Sequence, residues 1–93
     1  MLVAVERFDL RIPGCSSLKE KRSVIRSLRD RLRGKLNVSV AETGFQDVHQ
    51  RAQITAVLVA TDGRFADSVL EQADQLVERH GGAVITAVRR DVY

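Results

Sequence analysis

Tryptophan is absent from the 93-residue chain, and cysteine, proline, methionine and tyrosine occur once each. One cysteine cannot close an internal disulfide or build a Cys-rich zinc site, and it suits a reducing compartment. The four aromatics are Phe8, Phe45, Phe65 and Tyr93. A base-stacking sheet of the RRM type needs aromatics on its central strands; there is no RNP1-like run here, and no G-x-x-G of a KH module. The phosphate loop G-x-x-x-x-G-K-S/T is also missing. Apolar runs are short. The longest, Ala56-Val57-Leu58-Val59-Ala60, falls far below the ~18 residues of a membrane span. Met1-Leu-Val-Ala-Val-Glu-Arg has neither a basic n-region nor a cleavage site. No membrane segment or secretory leader is expected, and the expected location is the cytoplasm.

Core-forming residues are plentiful. Leu, Ile, Val and Phe number 29, well above the roughly 20% below which chains stay disordered. A chain of this length supports one core, hence one domain over residues 1–93. Net charge is +3, unevenly spread. Lys19 to Lys35 holds eight of the 15 basic residues against only Glu20 and Asp30. From Asp62 to His80 the sign reverses, with five acids against Arg64 and Arg79. This asymmetry is the main functional clue.

Turn signals at Pro13-Gly14, Gly34, Gly44, Asp62-Gly63 and Gly81-Gly82 divide the chain into six elements. Residues 1–12 alternate as a strand. Residues 17–35 form a helix opened by an S-x-x-E capping box, Ser17 with Glu20, with Leu18, Ile25, Leu28, Leu32 and Leu36 on one face. Strands follow at 37–43 and 50–60. A second helix, capped by Thr61 or Asp62, carries Phe65, Val69, Ala73, Leu76 and Val77 on its apolar face. Residues 83–92 make the last strand. The order β-α-β-β-α-β with right-handed crossovers predicts an α+β, ferredoxin-like domain, a four-stranded antiparallel sheet with two helices on one face.

Ser17-Leu-Lys-Glu-Lys-Arg22, Ser27-Leu-Arg-Asp-Arg-Leu32, Asn37-Val-Ser-Val-Ala-Glu42, Gln46-Asp47 and Gln50-Arg51-Ala52 together resemble the YlxP-like family, small bacterial proteins without an assigned function. The resemblance covers nearly the whole chain. It implies a self-associating ferredoxin-like domain of the bacterial cytoplasm, whose genes often neighbour translation and ribosome-maturation genes. It supplies no catalytic residues. Glu6 departs from it, standing where an apolar strand residue is expected. The alternation shows the same conflict, since Leu2, Ala4, Glu6, Phe8, Leu10 and Ile12 share a face. Burying an unpaired carboxylate is costly. Either a bulge shifts the phase so that Val3 and Val5 point inward, or Glu6 is buried against a basic partner.

Lys19, Arg22, Arg26, Arg29 and Arg33 recur at intervals of 3, 4, 3 and 4. They form one row beside the buried stripe, roughly 21 Å long at ~1.5 Å per residue. Arginine contacts phosphate through a planar, bidentate fork. The row is read as an RNA-backbone contact, against the plainer reading of a solvated face. Ser16, Ser17 and Lys21 at the helix start are a possible anion site, although the capping box accounts for the serines without a ligand. Glu42, Asp47, His49 and Arg51 are a possible polar contact cluster. As a metal or acid–base set they are weak, and neither a metal nor a cofactor is expected. Asp67, Glu71, Asp74 and Glu78 are expected to face water, as a solvated face or a docking strip for a basic partner. Cys15 and His80 are read as structural, His80 as a cation at a helix C-terminus. The open sheet face, partly apolar, is expected to mediate homodimerisation. The leading expectation is a non-enzymatic dimer that binds ribosomal or translation-related RNA. The alternative is a dimeric protein-interaction or small-ligand regulatory module.

Overall fold

Alternating apolar side chains make the first segment a strand, and in the computed structural model, which describes all 93 residues, it lies at the centre of the sheet. The elements are β1 (Leu2–Arg11), α1 (Leu18–Lys35), β2 (Ser39–Gly44), β3 (Arg51–Ala60), α2 (Gly63–Glu78) and β4 (Val84–Val92). Each boundary lies within two residues of the sequence expectation. The strands pair antiparallel in the order β2-β3-β1-β4, the ferredoxin-like arrangement. No helix is long and apolar enough to cross a membrane.

The register explains the core. Ala4, Phe8 and Leu10 of β1 stand opposite Leu58, Ile54 and Ala52 of β3, and all six are buried. Onto this face α1 lays Ile25, Leu28 and Leu32. The buried stripe of α2 is Ala66, Val69, Leu70, Ala73 and Val77. This differs from expectation. Phe65 is 55% exposed and Leu76 only half-buried, because the helix turns its Ala66–Leu70–Ala73–Val77 row inward. Both helices start at the expected caps. The Ser17 hydroxyl accepts from the Glu20 N–H at 3.1 Å, and Asp62 accepts from the Phe65 N–H at 2.8 Å. Cys15 is buried, its thiol donating to the Ser17 carbonyl.

Glu6 is buried with no phase slip. The β1–β3 register runs unbroken from Leu2 to Arg11, and the shift against β4 falls later, between Asp9 and Leu10. The bulge reading is therefore corrected, and a basic partner is present. Arg90, opposite Glu6 on β4, donates Nε to Glu6 Oε1 at 2.8 Å and brings Nη2 to the same oxygen at 2.7 Å. From α2, Asp67 and Asp74 reach that guanidinium at 3.4 and 3.5 Å. Burial, then the hydrogen bond and negative charge of Asp74, push the Glu6 carboxyl from 4.5 up to about 8, with Arg90 pulling the other way. Glu6 Oε2 is buried without a donor, and a proton on the Glu6 carboxyl spares the site a bare charge.

The folded chain thus keeps a proton that the unfolded chain releases above about pH 4.5. The stabilisation is complete below that value and is lost as pH rises through about 8. Between pH ~6.5 and ~8 the urea midpoint should fall. Glu6→Gln, whose amide stands in for the proton, should remove that slope. Equal slopes in the two proteins would contradict a proton retained on Glu6.

Candidate nucleic-acid interface

Two rows run side by side along α1 at intervals of 3, 4, 3 and 4. The inner row is Leu18, Lys21, Ile25, Leu28 and Leu32, and all but Leu18 are buried. The outer row is Lys19, Arg22, Arg26, Arg29 and Arg33. Lys19, Arg22 and Arg26 are exposed and Arg29 is half-buried. Arg33 is exposed, but its Nη2 donates to the Val40 carbonyl at 2.7 Å. None of the five forms an ion pair; the paired bases are Lys21, Arg89 and Arg90.

Lys19, Arg22 and Arg26 line a shallow groove of about 630 Å³ with Ser23, Ser27 and Asp30. It contains no hydrophobic side chain. Beside it, Arg22, Arg26 and Arg29 share a smaller recess of about 210 Å³ with Ile25 and Glu42. His80 borders the main groove. Its Nε2 meets the Ser27 hydroxyl at 2.9 Å, and its Nδ1 accepts from the Gly82 N–H at 3.2 Å. An accepting Nδ1 puts the proton on Nε2, so His80 donates to Ser27. Burial first, then the Arg31 charge, holds its pKa below 6.5. His80 is therefore a neutral contact between α1 and the turn after α2, rather than a cationic end-cap.

The anion site expected at Ser16, Ser17 and Lys21 is filled from within the chain. The Glu20 carboxylate accepts from the Ser16 N–H at 2.9 Å and from its hydroxyl at 3.2 Å, so the helix N-terminus already holds an anion. Lys21 is turned inward and is 1% exposed. It pairs with Glu42 at 2.9 Å and donates to the Phe45 carbonyl. Phe45 has a left-handed backbone, φ 59°, and Arg51 stacks 4.1 Å above its ring. The expected polar cluster therefore divides. Glu42 and Arg51 secure the β2–β3 connection from two sides, while Asp47 and His49 are exposed. No three His, Cys, Asp or Glu side chains gather as a metal site. The acidic strip of α2 divides too. Asp67 and Asp74 turn to Arg90, and Glu71 and Glu78 remain exposed.

Sequence reasoning missed two working residues. Lys21 fits the apolar register of α1, a position where a lysine must find a buried partner. Arg90 lies two residues from both Val88 and Val92, on the strand face that an inward Glu6 requires for its counter-ion.

The profile of a family described as "Protein of unknown function (DUF503)" matches residues 3–90. "Uncharacterized protein YlxP" of Bacillus subtilis (strain 168) is 42% identical over 45 residues, 48% of this chain and 49% of that protein. The match thus spans about half the length of the curated relative. Among solved structures, "De novo designed protein Foldit4" superposes with a TM-score of 0.59 at 13% identity, covering 98% of this chain and 97% of that one. "Structural Genomics, protein YJCS" gives 0.60 at 5% identity and covers 96% of each. "Putative Chlorite dismutase TA0507" gives 0.61 at 9% identity over 100% of this chain and 44% of that one. At these identities the likeness is one of fold alone.

Lys19 and Lys21, two residues apart, separate surface from structural charge. Lys21→Ala strands the Glu42 carboxylate and the Phe45 carbonyl and should cost about 3 kcal/mol of unfolding free energy. Lys19→Ala should change stability by no more than about 0.5 kcal/mol. Urea denaturation of both variants checks this. Similar small effects from the two would refute the inward placement of Lys21.

Proposed function

The chain belongs to the DUF503 family, whose description assigns no activity, and from that premise we propose that it is a non-enzymatic, self-associating domain that binds structured RNA along the outer face of α1. The observation that carries this reading is the set of three exposed cations, Lys19, Arg22 and Arg26, around one polar groove without an ion pair. Five like charges in a row repel one another, and a helix face kept merely soluble would interleave acids at i−4. Arg29 and the Ser23 and Ser27 hydroxyls add hydrogen-bond capacity beside them.

The chemistry favours backbone over bases. Guanidinium groups suit phosphate, whereas the central strands offer Val3, Val5, Val57 and Val59 rather than aromatics on the open sheet face. Ribosomal RNA is the class suggested by the gene neighbourhood of the family. Phosphate contacts position a protein and carry little sequence information, so shape is the expected basis of selection. The second reading is an interaction module. It draws on exposed apolar side chains away from α1, notably Val59, Val88, Val92 and Tyr93.

Three phosphate contacts give a log–log salt slope of about −2 to −2.7. Affinity for a duplex RNA should accordingly drop roughly fifteen- to forty-fold between ~50 and ~200 mM salt. Replacing Arg22 and Arg26 together by Glu should lower affinity by more than about tenfold and leave the circular dichroism spectrum unchanged. Fluorescence anisotropy across a salt series measures both. Binding that ignores salt, or that survives the charge reversal, would rule out the α1 face.

A further inference from the structure

The sheet has two edges, β2 and β4, and the chain treats them differently. Along β2, side chains of the same chain occupy backbone carbonyls. Arg33 donates to Val40 at 2.7 Å, and the Gln46 amide reaches the Glu42 carbonyl at 3.5 Å. These are devices that discourage strand addition.

The β4 edge has no such cover. Val3 and Tyr93 exchange both backbone hydrogen bonds, at 2.9 and 2.8 Å. In an antiparallel ladder the hydrogen-bonding direction alternates. Asp91, Arg89 and Ala87 therefore turn their backbone groups toward β1, and Val92, Arg90 and Val88 turn theirs outward. The outward N–H and C=O groups of these three residues have no partner strand or side chain. Val88 and Val92 are 45% and 54% exposed beside them. The regular run begins at Ala87, because the register shift leaves Thr86 between the partners of Asp9 and Leu10.

We propose that a second copy of this chain pairs with this edge, antiparallel, about a two-fold axis at Arg90, joining two sheets into one of eight strands. The inference rests on the self-association half of the reading above and supplies its surface and register. In this register the outward backbone groups of Val88, Arg90 and Val92 meet those of Val92, Arg90 and Val88 in the other copy, which closes six hydrogen bonds. Val88 packs on Val92, twice, on the helix side. Arg89 meets Asp91, twice, on the open side. Arg89 already faces a like charge, Arg7, across β1, and its own Asp91 sits at 3.4 Å; the second copy's aspartate relieves that excess. The two Arg90 residues at the axis do not clash in charge, since each guanidinium is drawn inward onto Glu6 and flanked by Asp67 and Asp74. A register centred on Val88 instead sets Ala87 against Arg89 and runs Arg90 into the Thr86 bulge.

Sedimentation analysis of the full chain tests this. The unaltered chain should be dimeric. Val88→Pro deletes an outward N–H and no bond to β1, and should give a folded monomer. Arg89→Asp and Asp91→Arg should each raise the dimer dissociation constant about tenfold or more, because like charges then oppose each other twice. Mixed in equal amounts, these two variants should form a heterodimer, since every cross-edge pair is again opposite in sign. A monomeric unaltered chain would overturn both the proposal and the self-association reading. A dimer that survives Val88→Pro would overturn the edge while leaving self-association standing. Failure of the charge variants to complement each other would overturn the register, and that pair still decides if the proline variant does not fold.

Discussion

A carboxyl group in the middle of the helix-facing row of β1 constrains much of this molecule. Glu6 is fully buried among Ala4, Phe8 and Ala56, where an unmatched charge would be prohibitive. It is held by Arg90 from β4 and by the neighbouring carboxyl of Asp74 from α2. Three elements are tied at one point. The edge strand is locked to the sheet, α2 is oriented so that Asp67 and Asp74 face that strand, and Arg90 is pulled off the edge it would otherwise guard. Hydrophobic packing alone would leave β4, whose side chains are mostly exposed, with little beyond its ladder to β1.

The same logic sorts the rest of the charge. Glu20 folds back over the start of α1, Glu42 accepts the buried Lys21, and Glu6, Asp67 and Asp74 surround Arg90. These five carboxyl groups serve structural contacts. On the outer face of α1, Lys19, Arg22 and Arg26 form no ion pair within the chain, and Asp30 is the one acid lining their groove. A modest net charge of +3 therefore understates the local field there, because the compensating acids are directed elsewhere.

The fold was legible in the sequence because its signals were local. Alternation gave the strands, the Ser17–Glu20 and Asp62 caps gave the helix starts, and Gly81-Gly82 closed α2. The outer row of α1 was legible for the same reason, since spacing alone specifies a helix face. What escaped was set by contacts between elements. A lysine near a helix start suggests an anion site; the inward turn of Lys21 depends on Glu42 and Phe45, more than twenty residues away in sequence. The partner of Glu6 lies 84 residues on, and nothing local in α2 specifies that Asp67 and Asp74 face Arg90. Spacing alone puts Arg33 in the outer row, while the geometry commits its guanidinium to the backbone of β2.

The role proposed for Lys19, Arg22 and Arg26, which form no ion pair within the chain, is to take up a polyanion. Side-chain Nε–Hε resonances of arginine report this directly in an NMR titration of the ¹⁵N-labelled protein with a duplex RNA. Phosphate contact along α1 should shift the Arg22 and Arg26 signals together with the α1 amides, while the Arg90 signal, locked on Glu6, stays in place. Shifts confined to β4 or to the open sheet face, with Arg22 and Arg26 unmoved, would contradict it.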